Sequence, residues 1–212
     1  MARGQFITFE GGEGAGKSTQ LKRLAQRLDA AGREVVTTRE PGGSLGAESI
    51  RDLVLNGAAD RWSPVTETLL MYAARRDHVE RVIRPGLARG AWVVCDRFAD
   101  STRAYQGAAG GTAPALIAAL EAHILEATRP DLTLVFDLPA EAGLARAQAR
   151  AGVAEMRFES KGLAFHQRLR EAFLTIAAAE PARCVLIDAA GSIEAVEAQV
   201  WSAVQARLAV DG

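Results

Sequence analysis

A phosphate-binding loop near the start of the chain constrains the fold more than any other feature. Residues 6–20 have the sequence FITFEGGEGAGKSTQ, in which an apolar alternating run breaks into glycines and then into a helical pattern. Several backbone N–H groups of such a loop must point at one polyanion, which requires dihedral angles that glycine adopts easily. The pattern G-x-x-x-x-G-K-[ST] is satisfied by Gly11, Gly16, Lys17 and Ser18, while Gly12 and Gly14 add further freedom.

This loop predicts nucleotide binding at the start of the first helix. The positive end of that helix faces the phosphates, and Lys17 adds a mobile cation toward the β and γ groups. The hydroxyl of Ser18 is the expected ligand of Mg²⁺. A plain glycine-rich turn between a strand and a helix is the structural alternative. The predicted contacts to the triphosphate are Gly11, Gly12, Glu13, Gly14, Ala15, Gly16, Lys17 and Ser18.

The composition is typical of one globular domain spanning residues 1–212. Of the 212 residues 49% are hydrophobic, and the formal net charge is -1, so we expect neither a nucleic acid nor a membrane as partner. No stretch reaches about 18 consecutive apolar residues, and the N-terminus has no apolar signal-peptide core. Cys95 and Cys184 lie in separate apolar runs, which indicates reduced thiols and a cytoplasmic location.

Strand-like runs alternate with helical segments along the chain. Besides the run that opens the loop, strands are expected at 34–38, 91–95, 132–138 and 185–187. Helices are expected from Lys17 to about Gly32, at 45–55, 64–88 and 140–151, and around three apolar stripes: Leu116, Leu120, Ile124 and Ala127; Phe165, Leu169, Phe173 and Ile176; and Ile193, Val196, Val200, Val204 and Leu208. This alternation predicts an α/β fold with a doubly wound, five-stranded parallel sheet.

Such a sheet places the expected functional segments together. Ligands bind beyond the carboxyl ends of the parallel strands. The phosphate loop, the turn at 39–43, the segment 96–106 and the residues after Leu138 should therefore meet at one edge. The sequence predicts a single cleft there.

Several motifs beyond the loop resemble those of the bacterial thymidylate kinase family. The segments are FEGGEGAGKST, TREPGG, LLMYAARRDH, CDRFADSTRAYQG, RPDLTLVFDL and RFE…FHQRLREAF, and they span Phe6 to about Asp188. The resemblance implies a P-loop nucleoside monophosphate kinase-like fold and the transfer of the γ-phosphoryl group of ATP to dTMP, with Mg²⁺, in dTTP biosynthesis. It also implies a homodimer, for which the tract 64–88 is the expected interface.

The resemblance assigns roles to residues near the phosphate loop. Glu13 would accept a hydrogen bond from the 3′-hydroxyl of the acceptor sugar. Asp96 would orient Mg²⁺ and its waters, and Arg97 would bind the acceptor phosphate. The structural alternatives are a solvated loop carboxylate for Glu13 and a local ion pair for Asp96 and Arg97.

Further residues would form the pocket for dTMP. Arg51 would reach the acceptor phosphate and Arg75 the O4 edge of thymine, although a helical arginine can equally be solvated or ion-paired. Tyr105 would occupy the place of a ribose 2′-hydroxyl, which favours deoxynucleotides. A capped helix turn with a packed tyrosine is the alternative for this segment. The base edge or sugar would be bound by Ser101, Thr102 and Gln106.

The TREPGG turn and Met71 are expected to determine the shape of the predicted pocket. Arg39 and Pro41 belong to the TREPGG turn, where a cis bond before Pro41 is energetically accessible. Met71 stands where the family usually has a phenylalanine that stacks on thymine. The polarizable sulfur of methionine can pack on a ring, but more loosely.

The phosphate loop contains no arginine, so the cation for the migrating phosphoryl group must come from elsewhere. Such cations can be worth about 10³- to 10⁵-fold in rate. We expect a lid at about 146–160 that closes over ATP, with Arg150 and Arg157 acting on the transferred group and Arg146 next to ATP. The alternative is that these arginines decorate an exposed helix end, where they favour the helix dipole. Met156 departs from the acid that the family often has before Arg-Phe-Glu.

Two other classes of protein remain compatible with the loop. One is another small P-loop kinase acting on a different nucleotide or a nucleoside, and the other is a nucleotide-dependent switch without phosphoryl transfer. The chain has no N-K-x-D motif for guanine.

The three histidines, His78, His123 and His166, lie in helical patterns without ligand-like spacing, and no catalytic role is assigned to them.

Overall fold

A computed structural model of the chain describes residues 3–58, 60–149 and 161–210. Its centre is one sheet of five parallel strands in the order β2-β3-β1-β4-β5. This arrangement confirms the predicted doubly wound sheet. The strands are β1 (Phe6–Gly11), β2 (Val35–Arg39), β3 (Trp92–Asp96), β4 (Leu132–Asp137) and β5 (Cys184–Asp188).

The inner strands form because their side chains can be buried on both faces of the sheet. All six residues of β1 are buried, as are the first four of β3 and the first five of β4. Nearly continuous apolar runs of this kind are typical of parallel strands covered by helices on both sides. The edge strands β2 and β5 are partly exposed.

Helices cover both faces of the sheet. Those of the described residues are α1 (Lys17–Ala30), α2 (Leu45–Leu55), α3 (Pro64–His78), α4 (Arg84–Ala88), α5 (Ala99–Thr102), α6 (Pro114–Leu125), α7 (Ala140–Ala149), α8 (Leu163–Ala179) and α9 (Ile193–Arg207). Apolar side chains of α1 and α9 pack with Ile7 and Phe9 in one core cluster. Phe6 of the same strand faces a second cluster on the opposite side.

Two π-helical segments interrupt the regular helices. Val79–Ile83 joins α3 to α4, so the predicted tract 64–88 is one continuous helical rod with a wider turn in it. Arg103–Ala108 extends α5. Single π-helical turns are frequent at functional sites, and the second segment contains Tyr105 and Gln106, which line the cleft described below.

The predicted apolar stripe of α6 is wrong by one register position. The buried residues are Ile117, Glu121 and Leu125, and Ala127 lies beyond the end of the helix. The reason is that Glu121 takes a buried position, where it accepts hydrogen bonds from Arg103 and from the Tyr72 hydroxyl. From sequence periodicity alone, a glutamate is expected on the exposed face of a helix, because its buried partners cannot be seen in the sequence.

Two further findings bear on the composition. Both cysteines are buried free thiols, as the apolar runs around them predict. Within 3–58, 60–149 and 161–210, no helix combines the length and apolar character needed to cross a membrane.

Candidate active site

The phosphate loop lies between β1 and α1, at the carboxyl edge of the sheet. Gly14 and Gly16 have positive φ of 68° and 84°. A β-carbon at Gly14 would come within 2.0 Å of the Gly143 carbonyl oxygen, and one at Gly11 within 2.4 Å of the Phe136 carbonyl oxygen. Glycine is therefore required at positions 11 and 14 by close packing as well as by backbone conformation.

Lys17 is a buried cation at the base of this loop. Its Nζ donates hydrogen bonds to the carbonyl oxygens of Gly11 at 3.0 Å and of Gly12 at 2.7 Å. Burial, reinforced by the charge of Arg97, lowers the pKa of Lys17 to about 8. The site thus holds a poorly compensated positive charge, which an incoming polyphosphate would stabilise.

Ser18 and Asp96 meet across the sheet edge. The Ser18 hydroxyl donates to Oδ2 of Asp96 at 2.7 Å. The other carboxylate oxygen, Oδ1, is buried and has no hydrogen-bond partner among the described residues. A hydroxyl beside a carboxylate with one unused oxygen suits a hard divalent cation such as Mg²⁺, which prefers oxygen ligands.

Arg97 joins the phosphate loop to the neighbouring cleft. Its Nη1 donates to the Gly11 carbonyl oxygen at 3.0 Å, and its Nη2 donates to Oε1 of Glu13 at 3.0 Å. The guanidinium also lies over the Tyr105 ring, 4.9 Å from its centroid. The backbone of Arg97 is left-handed, with a φ of 70°, which non-glycine residues rarely adopt.

Glu13 is held as a carboxylate between these groups. The Tyr105 hydroxyl donates to Glu13 Oε1 at 2.5 Å. Burial alone would raise the pKa of Glu13, but Arg97 and Lys17 outweigh it and bring the pKa to about 2. Glu13 therefore offers a fixed acceptor to a hydroxyl group of a ligand.

Glu10 is a functional residue that the sequence analysis missed. Its fully buried carboxyl group accepts hydrogen bonds from the Phe98 amide at 2.7 Å and from the Ser101 hydroxyl at 2.6 Å. Burial, followed by the charge of Asp100, raises the pKa of Glu10 to about 8. Glu10 thus anchors the turn that carries Arg97, and the available signal was an acid inside an otherwise apolar strand.

A cleft beside the loop contains most of the predicted dTMP residues. The space between its walls is about 530 Å³, part of which is open to solvent. Its lining consists of Glu13, Glu40, Pro41, Leu55, Met71, Arg75, Arg97, Phe98, Ser101, Thr102, Tyr105 and Gln106. Glu13 belongs to the phosphate loop and Arg97 contacts it, so the predicted segments meet at one edge of the sheet. The prediction of a single cleft is wrong, because the loop itself separates this cleft from a second cavity. Glu40, Leu55 and Phe98 were not predicted as part of the cleft lining.

The base of the cleft is formed by a buried arginine. Arg75 Nη2 donates to the Phe98 carbonyl oxygen and to Thr102 Oγ1, each at 3.0 Å. Its Nη1 is buried without a hydrogen-bond partner among the described residues. Nearby, Gln106 Nε2 donates to Glu67 Oε1 at 2.8 Å. A buried donor without a partner among the described residues favours a ligand that brings an acceptor such as a carbonyl oxygen.

Arg39 and Arg51 do not belong to the lining of this cleft. Arg39 is exposed and pairs with Glu48 at 3.0 Å. Arg51 donates from Nη1 to the Pro41 carbonyl oxygen at 2.7 Å and so supports the turn that borders the cleft. The bond between Glu40 and Pro41 is cis, as the sequence allowed.

A second, more open cavity lies on the other side of the phosphate loop. Its lining includes Gly14, Gly16, Thr19 and Arg146, together with residues 189–193 at the start of α9. Arg146 Nη1 donates to the Ala189 carbonyl oxygen at 3.0 Å. Arg150, Met156 and Arg157 of the expected lid lie outside the described residues.

A five-stranded parallel sheet with a phosphate loop between two cavities defines a P-loop phosphotransferase of the nucleoside monophosphate kinase class. Comparison with known proteins makes the assignment specific. The family model "Thymidylate kinase" matches residues 9–200. The chain therefore belongs to the thymidylate kinase family, and it is a kinase that uses ATP.

Individual relatives agree over the whole length. The chain is 69% identical over 208 residues to a thymidylate kinase of Caulobacter vibrioides, covering 98% of this chain and 99% of the relative. It is 58% identical to one of Bradyrhizobium diazoefficiens, covering 97% and 91%. The crystal structure of a thymidylate kinase from Ehrlichia chaffeensis superposes with a TM-score of 0.77 at 35% identity, covering 96% of this chain and 99% of that one.

Proposed function

We propose that the chain transfers the γ-phosphoryl group of ATP to dTMP, giving dTDP and ADP, through the residues described above. One observation carries the residue assignment. Arg97, in the acceptor cleft, donates directly to Gly11 of the phosphate loop. The acceptor phosphate and the γ-phosphate would therefore meet at this arginine, without a large movement of the sheet edge.

The proposed chemistry depends on positioning and on charge neutralisation. The phosphate oxygen of dTMP is already a competent nucleophile, so no general base is needed. Lys17 would neutralise the β and γ groups, and Arg97 the acceptor phosphate. Glu13 would accept the 3′-hydroxyl, while Tyr105 would fill the space of a 2′-hydroxyl.

The base pocket fits the same substrate. Arg75 Nη1 is the donor available to O4 of thymine, and Ser101, Thr102 and Gln106 line the cleft around it. Met71 also lines the cleft, which supports contact between its sulfur and the base. Arg51, held on the Pro41 carbonyl, and Arg39 would act from the rim of the acceptor site.

Ser18 and Asp96 would hold Mg²⁺, since Asp96 Oδ1 is an unused buried oxygen beside the Ser18 hydroxyl. When bound, this ion supplies positive charge to the phosphate oxygens. The two residues hold each other in place at the carboxyl edge. Activity that survives exhaustive chelation would contradict this part of the proposal.

We also propose that the single domain carries a lid at about 146–160, with Arg150 and Arg157 on the transferred group and Arg146 beside ATP. Arg146 already lines the cavity next to the phosphate loop. Arg157→Ala should lower kcat about 10³-fold and change the KM for dTMP little, because the cation acts on the migrating group. Arg168→Ala, an exposed arginine on α8, is the matched control. An unchanged kcat for Arg157→Ala removes this residue from the mechanism.

A homodimer and a cytoplasmic location complete the proposal. Exposed apolar side chains support an interface on α2 and α3, namely Leu45, Leu53, Val65 and Leu69. Of these, Val65 and Leu69 lie in the tract 64–88. Two buried free thiols are compatible with a reducing compartment. Analytical ultracentrifugation at micromolar concentration tests the dimer, and a monomer would contradict it.

The activity is tested by ADP release with a panel of acceptors. With ATP and Mg²⁺, dTMP should give at least about tenfold higher kcat/KM than CMP or thymidine, because only dTMP combines a phosphate with a 4-carbonyl base. Omitting the acceptor measures hydrolysis by water. Equal turnover with CMP would favour another nucleotide kinase, and ATP binding without acceptor-stimulated turnover would favour a switch.

A further inference from the structure

A chain of buried polar groups leads from Arg75 and Glu40, which line the cleft, to two residues outside that lining. Arg75 Nε donates to Oε2 of Glu40 at 2.7 Å, and Oε1 of Glu40 lies 2.9 Å from Nδ1 of His78. On the far side of the ring, Nε2 of His78 lies 2.7 Å from Oγ1 of Thr38. The side chains of Arg75 and Glu40 are 3% exposed and that of His78 is fully buried. These four residues form one continuous polar chain, which we name the Arg75 relay.

The relay fixes the proton on His78. Burial alone would raise the pKa of Glu40, but Arg75 and His78 hold it below the usual value. A carboxylate can only accept hydrogen bonds, so Nδ1 of His78 must be the donor toward Glu40. In the neutral ring Nε2 then accepts from the Thr38 hydroxyl.

The TREPGG turn is shaped around the histidine. Gly43 has a φ of 89°, and a β-carbon there would lie 2.5 Å from His78 Nε2 and 2.4 Å from Thr38 Oγ1. Gly43 must therefore be glycine, because any β-carbon there would collide with His78 and Thr38. Arg75 and His78 are three residues apart on α3, so they share one helix face toward the turn.

The relay restricts the direction in which Arg75 can donate. The guanidinium is planar, and Nε is committed to Glu40 while Nη2 is committed to Phe98 and Thr102. Nη1 is the donor nitrogen that remains, and no described residue accepts a hydrogen bond from it. A Glu40 without His78 could rotate about its side chain and take Arg75 with it.

We propose that His78 is a positioning residue for recognition of the acceptor base, acting through Glu40 to aim Arg75 Nη1 at the 4-carbonyl of a pyrimidine. This inference rests on the proposed function. It assigns the choice between a 4-carbonyl and a 4-amino base to a histidine that does not line the cleft. Loss of His78 should weaken that choice much more than the chemical step.

Two substitutions separate the two nitrogens of the ring. In His78→Asn the amide nitrogen lies near the position of Nδ1 and can still donate to Glu40. In His78→Gln it lies nearer Nε2 and leaves Glu40 without its donor. His123→Asn, on the exposed side of α6, is the matched control.

The measurement is kcat and KM with dTMP and with 5-methyl-dCMP, which carries an amino group in place of the 4-carbonyl. His78→Gln should raise the KM for dTMP about tenfold, with kcat within about twofold, and should lower the ratio of the two kcat/KM values about tenfold. A tenfold change corresponds to about 1.4 kcal/mol, the size of one hydrogen bond to a charged group. His78→Asn should recover most of the ratio, and His123→Asn should not change it.

A uniform loss of kcat with an unchanged ratio would show that His78 is only structural and would overturn the inference. Failure of His78→Asn to recover the ratio would also overturn it. If His78→Gln does not fold, Thr38→Val provides the second test. It keeps the shape of the side chain, removes the hydroxyl that orients the ring, and should shift the ratio about threefold in the same direction. A wild-type protein inactive on dTMP would instead refute the proposed function.

Discussion

Lys17→Met should reduce turnover of ATP and dTMP at least about 10²- to 10³-fold, while the folded protein remains at least as stable as the wild type at pH 7. Methionine keeps the unbranched stem of the side chain and removes only the cation. That cation would neutralise charge that grows on the transferred phosphoryl group, and fixed charges in such sites have effects of this size.

The stability part of this prediction follows from the pKa of Lys17. Burial lowers it from 10.5 to about 8 in the folded protein. Between pH 8 and pH 10.5 the unfolded chain binds more protons than the folded one. The charge on Lys17 therefore lowers the free energy of unfolding by its full amount below pH 8, and this effect disappears above pH 10.5. Removing the cation relieves the penalty, which offsets the hydrogen bonds lost to the carbonyl oxygens of Gly11 and Gly12.

Thermal unfolding with and without MgATP distinguishes loss of function from loss of fold. At 100 times its dissociation constant, ATP should stabilise the wild type by about 2.7 kcal/mol and Lys17→Met much less. Lys22→Met, an exposed lysine one turn along α1, should behave as the wild type in both assays. Wild-type turnover in Lys17→Met would contradict the phosphate role of Lys17.

The fold was predictable because its signals are local. The apolar runs of β1, β3 and β4 are long enough to need burial on both faces, and the predicted helix 45–55 agrees with α2. Observed strand ends differ from the predicted ones by about one residue. The turns between strands and helices are marked by glycine and proline, which can be recognised in the sequence without knowledge of tertiary contacts.

The sequence predicted site residues whose proposed role is contact with a ligand better than it predicted residues that contact other side chains. Arg75, Arg97 and Tyr105 stand in motifs whose spacing suits a base and a phosphate, and all three line the cleft. Glu10 and His78 contact buried partners 91 and 38 positions away in sequence, at Ser101 and Glu40. No local pattern specifies such pairs, because their positions depend on how the strands order in the sheet.

The π-helical segments show the same limit. Apolar spacing predicted one helix over 64–88, and periodicity alone does not reveal the wider turn at Val79–Ile83. Likewise, Arg39 stands in the motif that predicted a pocket role, yet the turn directs it to an exposed ion pair with Glu48. The path of the backbone through this turn, which the motif does not specify, decides which of its side chains face inward.

Arg97→Gly and Arg97→Ala should each lower kcat/KM for dTMP about 10²- to 10³-fold. Both remove the guanidinium that joins Gly11 and Glu13, and truncating one member of a buried charge pair costs about 2–5 kcal/mol. Glu13 then loses the first of the two cations that hold its pKa near 2. Both kcat and the KM for dTMP should change, since the arginine would contact the acceptor phosphate in ground and transition states.

The two variants should differ in stability although they lose the same activity. At a φ of 70° a β-carbon is strained, by about 1–2 kcal/mol per residue, whereas glycine adopts this conformation freely. Arg97→Gly should therefore unfold at a higher urea concentration than Arg97→Ala. Arg89→Ala removes another arginine ion pair, with Glu34 just before β2, and should retain full activity.

Equal stability of Arg97→Gly and Arg97→Ala would contradict the left-handed backbone at this position. An unchanged kcat/KM in both would contradict the meeting of the two phosphates at Arg97. The wild-type protein tolerates this strain because Glu10 holds the next amide, Phe98 N, and the Arg97 amide donates to the Phe9 carbonyl oxygen at 2.9 Å. A strained residue fixed on both sides by buried hydrogen bonds keeps its side chain aimed before any ligand arrives, which lowers the cost of positioning at the moment of transfer.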